Sequence, residues 1–122
     1  MRKPISLVTA AIIGATPLSA ETALAEIHVT PNDTGVTNEG IVVGLSEGEV
    51  DGSLTIEKDG PSGTSRLRQG RTVTVSRGSR EVIGRTGLSL KPGAELSVTM
   101  TVMLDGIEIA EARSRFGPRT EN

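Results

Sequence analysis

From residue 26 onward, apolar side chains recur at every second position, the period of an extended strand with one face on a core and the other on solvent. Ile27 and Val29 open the series, Ile41, Val43 and Leu45 form a second run, and Leu54 and Ile56 a third. Leu67, Val73 and Val75 form a fourth, whether 65–76 is one long strand or a hairpin around Gly70, and Val82, Leu88 and Leu90 a fifth. The cleanest alternation is Leu96, Val98, Met100, Val102 and Leu104, after which Ile107 and Ile109 follow Asp105-Gly106. Joints rich in Gly, Pro and Asp separate the runs, and no segment carries a helical stripe. The pattern predicts an all-β domain, an immunoglobulin-like β-sandwich of about seven antiparallel strands.

The last hairpin allows a register to be written down. A two-residue Asp105-Gly106 loop sets Leu104 against Ile107 and Val102 against Ile109 on the apolar face. On the other face Met103 meets Glu108 and Thr101 meets Ala110. The same parity carried onward brings Glu111 and Arg113 inward, so both are expected at the rim, a buried charge being costly.

The N-terminus has a different character. Arg2 and Lys3 precede an apolar stretch from Ile5 to Ala20, and Ala23-Leu24-Ala25 stands immediately before Glu26. This is the order of a cleaved secretory signal. Pro4 and Pro17 interrupt the stretch, which is short of the roughly 20 apolar residues of a spanning helix. Residues 1–25 are therefore expected to be a signal peptide and 26–122 a single domain, with no membrane association after cleavage. A cut after Ala20 is the lesser alternative, because it puts the bulky Leu18 three residues before the scissile bond.

Composition narrows the function classes. With no Cys, Trp or Tyr, one Phe and one His, neither disulfides nor a Cys-ligated metal site is possible. No nucleophile and base come together in a recognisable motif, so no enzyme, cofactor or metal is expected. His28 has outward strand parity and reads as a solvated residue, Met100 as core and Met103 as an outward side chain. The carboxylates of 47–59 lack the spacing of a calcium loop and read as a solvated acidic face.

The net charge of -2 is too mild for a nucleic-acid binder, and it conceals a strong polarity. Residues 26–59 carry eight acids against Lys58, a balance of -7. Residues 60–94 carry Arg66, Arg68, Arg71, Arg77, Arg80, Arg85 and Lys91 against Glu81, a balance of +6. Arg66, Arg68 and Arg85 have outward parity, whereas Arg71, Arg77 and Arg80 have inner parity and belong at ends, bends or edges. These seven cations form the candidate partner-binding set, a basic surface of the fourth and fifth strands. Charged edge strands also prevent sheet-to-sheet aggregation, and that plainer role competes with recognition. Six arginines against one lysine lean toward recognition, since guanidinium offers carboxylates and amides a flat, multidentate face.

Several segments resemble a known family. They are Glu57-Lys58-Asp59-Gly60-Pro61-Ser62-Gly63-Thr64-Ser65, Arg71-Thr72-Val73-Thr74-Val75, Thr86-Gly87-Leu88-Ser89-Leu90 and Leu96-Ser97-Val98-Thr99-Met100-Thr101-Val102. In this order, and ending at Phe116-Gly117-Pro118, they are similar to the curli-assembly inhibitors of the CsgC type, whose Cys-free variant is CsgH. The resemblance implies a periplasmic immunoglobulin-like monomer. It would keep the curli major subunit, a CsgA-like amyloid protein, from assembling before export. The CsgC type carries a Cys-x-Cys pair that falls near Gly48 to Val50 here, so a thiol-redox role does not carry over. A reading from a different class is a structural or adhesion module that pairs a sheet edge with a partner strand.

Overall fold

Side chains that alternate in this way cannot bury their apolar face alone, and two sheets solve the problem by facing each other. The computed structural model describes residues 12–13, 22–61 and 63–117. Its strands are β1 (Ile12–Ile13), β2 (Ala23–Pro31), β3 (Gly35–Gly44), β4 (Gly48–Gly60), β5 (Gly63–Val75), β6 (Arg80–Ser89), β7 (Glu95–Leu104) and β8 (Ile107–Phe116). One antiparallel sheet runs β1-β8-β7-β4-β5 and the other β2-β3-β6. The seven strands β2 to β8 make the expected sandwich. The expected signal sequence lies outside the described residues except for β1 and 22–25.

The core follows the alternation on most strands. Ala23, Ala25, Ile27 and Val29 of β2 point inward, as do Val50, Leu54 and Ile56 of β4 and Leu96, Val98, Met100 and Val102 of β7. β5 is one strand, not a hairpin, and Val73 and Val75 close its inner face. Leu67 shares their parity but stays exposed on this edge strand. Asp105 (φ 52°) and Gly106 (φ 79°) form the tight turn between β7 and β8, both central residues being left-handed as that hairpin requires.

Three strands depart from the expected parity. On β3 the inward residues are Asn38, Gly40, Val42 and Gly44; of the expected ones Ile41 is buried as well, at 5% exposure, but Val43 is half-buried and Leu45 exposed. The inner positions are small because other side chains already fill the space: a Cβ on Gly40 would lie 2.8 Å from Met100 Sδ. On β6 a register shift opposite Gly40/Ile41 turns Ile83 into the core and leaves Val82 40% exposed. On β8 a second shift pairs Met103 with Glu108 but Val102 with Ala110, so Ile109 and Ala110 are both buried. Such a bulge reverses the parity of everything after it. Ala112 is therefore fully buried, and Arg113 and Arg115 leave the expected inner parity for the outer face, while Glu111 is half-buried.

The start of β2 makes contacts that a cut after Ala25 would remove. Ala23 and Ala25 are fully buried and pair with Gly44 and Val42, and the Thr22 carbonyl accepts hydrogen bonds from the amides of Leu45 (2.9 Å) and Ser46 (3.3 Å). A chain starting at Glu26 loses these contacts, and one starting at Glu21 keeps them. The shorter chain is expected to be less stable by roughly 2–4 kcal/mol, summing two alanine burials and several backbone hydrogen bonds. Urea denaturation of the two recombinant chains reads the difference directly, and equal midpoints would refute it.

Candidate functional site

Antiparallel pairing lays the acidic third of the chain against the basic third. In the β4–β5 ladder Glu57 stands opposite Arg66, Asp51 opposite Thr72 and Asp59 opposite Thr64. Arg66 Nε is 3.4 Å from Glu57 Oε2, and the Thr72 and Thr64 hydroxyls donate to Asp51 and Asp59. In the other sheet Arg85 on β6 faces Glu39 on β3, and Arg80 reaches across β3 to pair with Glu26 on β2. Opposite charges on neighbouring strands favour this register over its alternatives.

The same pairing disperses the seven candidate cations. Arg66 and Arg68 project from the outer face of the five-stranded sheet. Arg80 and Arg85 project from the outer face of the three-stranded sheet, on the far side of the sandwich. Arg71 sits at the side between them, where its guanidinium donates to the Val82 carbonyl. Nearby, the Thr86 hydroxyl donates to Gln69 Oε1 across the same gap (3.3 Å). Arg77 is exposed in the turn after β5, and Lys91 lines a depression at the β4–β5 hairpin with Lys58, Pro61 and Ala94. One basic surface containing Arg66, Arg68 and Arg85 is thus corrected to two: outward from two facing sheets means opposite directions.

Arg80, Glu26 and His28 form a small cluster on the three-stranded sheet. His28 Nε2 lies 3.0 Å from Glu26 Oε1 and 3.3 Å from Arg80, so this outward, half-buried ring is partnered as well as solvated. Burial pushes the Glu26 carboxyl up, but hydrogen bonds from His28 and Arg80 and their nearby charge outweigh it, holding the group below its usual range. The cluster fastens β2 to β6 across β3.

The outer face of the five-stranded sheet is different in kind. Its register sets side chains in rows across β5, β4, β7 and β8. One row reads Arg66, Glu57, Ser97, Arg115, and the next Arg68, Thr55, Thr99, Arg113. A third reads Gly70, Ser53, Thr101, Glu111. Arg113 and Arg115 escaped the sequence reading because the bulge that turns them outward was not foreseen. Two shallow depressions lie here, sharing Glu57, Ser97 and Thr99. Arg113 is 3.1 Å from Glu111, and Arg115 is 3.8 Å from Glu95. Arg68 donates to Ser53 Oγ (3.3 Å) and has no carboxylate partner among the described residues. The face holds hydroxyls and the Glu57 carboxylate on β4 and β7, flanked by guanidiniums on β5 and β8, with no aromatic or branched aliphatic side chain on these four strands in these three rows. It can bind by hydrogen bonding and charge, without an apolar anchor.

No protein-family model matches this chain, and no curated protein matches it. Its fold is similar to the solution structure of R. palustris CsgH, with a TM-score of 0.60 and 21% identity over 75% of this chain and 91% of that one.

Proposed function

We propose that this protein acts in the periplasm, without catalysis or cofactor, to hold back premature amyloid formation by a curli fibre subunit through transient contacts. The observation that carries the reading is the outer face of the five-stranded sheet, with Arg66, Arg68, Arg113 and Arg115 around Thr55, Ser97 and Thr99. The fold shared with CsgH and the order of the signal-like N-terminus support it. Tight interfaces are anchored by buried aromatic and aliphatic groups, which the rows of Arg66, Arg68, Arg113 and Arg115 across β5, β4, β7 and β8 lack. Guanidiniums on a flat hydroxyl surface give fast, charge-steered encounters and fast release. Nuclei are far rarer than monomers, so brief contacts that block the next addition to a forming nucleus delay assembly without consuming one inhibitor per subunit.

The test is thioflavin T kinetics with purified curli subunit and the chain beginning at Glu21. A substoichiometric amount is expected to lengthen the lag, and an unchanged lag refutes the function. The Arg66→Glu/Arg68→Glu variant is expected to lose most of the effect, whereas Arg85→Glu, on the other sheet, keeps it. Thermal unfolding of each variant separates loss of the face from loss of the fold. The competing reading, strand addition, rests on β5, whose residues 63–68 are exposed on both faces at the free edge of the sheet. It requires a stable complex or oligomer in size-exclusion chromatography, where the transient-contact reading requires a monomer.

A further inference from the structure

We infer that the binding face extends across β5, β4, β7 and β8, and that its ligand is an extended acidic segment crossing the strands with two carboxylates four residues apart. This rests on the reading of the outer face given above and specifies its occupant. The lane is the row Arg68, Thr55, Thr99, Arg113, one residue from each of β5, β4, β7 and β8. Adjacent strands lie about 4.8 Å apart, so its two arginines stand about 14 Å apart at their backbones, and four residues of extended chain also span about 14 Å. A crossing segment therefore brings the side chains at i and i+4 over Arg68 and Arg113 together.

The charges along the lane select the same ligand. Its interior holds only Thr55 and Thr99, both half-buried, which accept and donate hydrogen bonds but carry no charge. The adjoining row places Glu57 between Arg66 and Ser97, where it repels a third carboxylate. On the other side stand Gly70, Ser53 and Thr101, small enough to leave the lane open, with Glu111 at its β8 end beside Arg113. The ligand is then acidic at its two ends and bears amides or hydroxyls between them. Arg68 holds only Ser53 Oγ and is free to receive one carboxylate, whereas Arg113 keeps its ion pair with the half-buried Glu111 and meets the other with its exposed side.

Two synthetic peptides of identical composition, rich in Ser, Asn and Gln, test the proposal when titrated into the folded protein under amide-resolved NMR. One carries glutamates at i and i+4, the other at i and i+2. The first is expected to bind more tightly and to move the amides of Thr55, Thr99 and Arg113. Arg68→Gln and Arg113→Gln are each expected to weaken it about two- to fivefold, the range of an exposed charged pair, while Arg85→Gln leaves it unchanged. Preference for the i, i+2 peptide means a ligand running along β5 over Arg66 and Arg68, and overturns the crossing geometry. Unaltered binding by Arg113→Gln removes β8 from the site and likewise overturns it. Neither result touches lag extension by the unmodified protein. Conversely, an unchanged lag together with i, i+4 selectivity defeats the curli role and leaves the lane standing.

Discussion

Replacing Gly44 by alanine is expected to destabilise the fold by about 3 kcal/mol, the upper range for forcing atoms into a packed site. An added Cβ would lie 2.1 Å from the Ser76 carbonyl oxygen, 2.5 Å from Ser79 Oγ and 3.0 Å from the Ser76 carbonyl carbon. Two of these are backbone atoms, so no rotamer change relieves the clash. The turn that carries them is pinned on all sides. Gly44 donates to the Ser79 carbonyl (2.8 Å) and accepts from the Gly78 amide (2.9 Å), while Ser79 donates to the Ser76 carbonyl (2.9 Å). The turn also joins β5 to β6, the only strands linking these edges of the two sheets in sequence, so its retreat disturbs both. Urea denaturation measures the loss. Gly87→Ala is the control: its nearest neighbour is Thr37 Oγ1 at 3.7 Å, and the substitution is expected to be neutral or slightly stabilising. Equal midpoints for the Gly44→Ala variant and the unmodified protein would show that the turn yields freely.

Gly44 also shows why part of the fold was legible in the sequence and part was not. β2, β4 and β7 are legible because their inner positions hold Ile, Leu, Val and Met while their outer positions are mostly polar. β3 inverts the signal. Its inner positions are Asn38, Gly40, Val42 and Gly44, while Val43 has the opposite parity and is half-buried and Ile41, of the same opposite parity, is buried. Period-two reading assumes that the larger residue faces the core. Where Met100 and Leu54 reach across to fill the space, the facing strand must supply glycine and the assumption fails.

The bulges have the same lesson in another form. An extra residue leaves no mark on periodicity except two adjacent apolar residues, Val82-Ile83 on β6 and Ile109-Ala110 on β8. Missing the second one hid Arg113 and Arg115. The charge polarity was plain in the sequence, but its meaning depended on pairing. Acidic and basic runs become neighbours across the β4–β5 hairpin and, from far apart along the chain, across β3–β6, so they neutralise each other instead of forming two poles. What survives as a candidate site is a lane between charges, set by register and invisible to composition.

Asn38→Val is expected to stabilise the protein by about 1–3 kcal/mol, the cost of an amide buried without partners. Asn38 is 0% exposed, and neither Nδ2 nor Oδ1 finds a hydrogen-bond partner among the described residues. It stands between Val29 on β2 and Thr86 on β6 in the middle of the three-stranded sheet, where a β-branched side chain suits the pleat and asparagine does not. Valine removes both unpaired polar atoms while keeping most of the volume. The urea midpoint is expected to rise with an unchanged slope, since the surface exposed on unfolding stays nearly the same. A lower midpoint would mean that the amide holds an ordered water whose loss outweighs the gain. The substitution also separates stability from binding: Asn38 faces the interior of the three-stranded sheet, while the arginine lane lies on the outside of the other. Lag extension and peptide affinity are therefore expected to be unchanged in a protein that unfolds at higher urea. A change in either would mean that the two sheets communicate through the core.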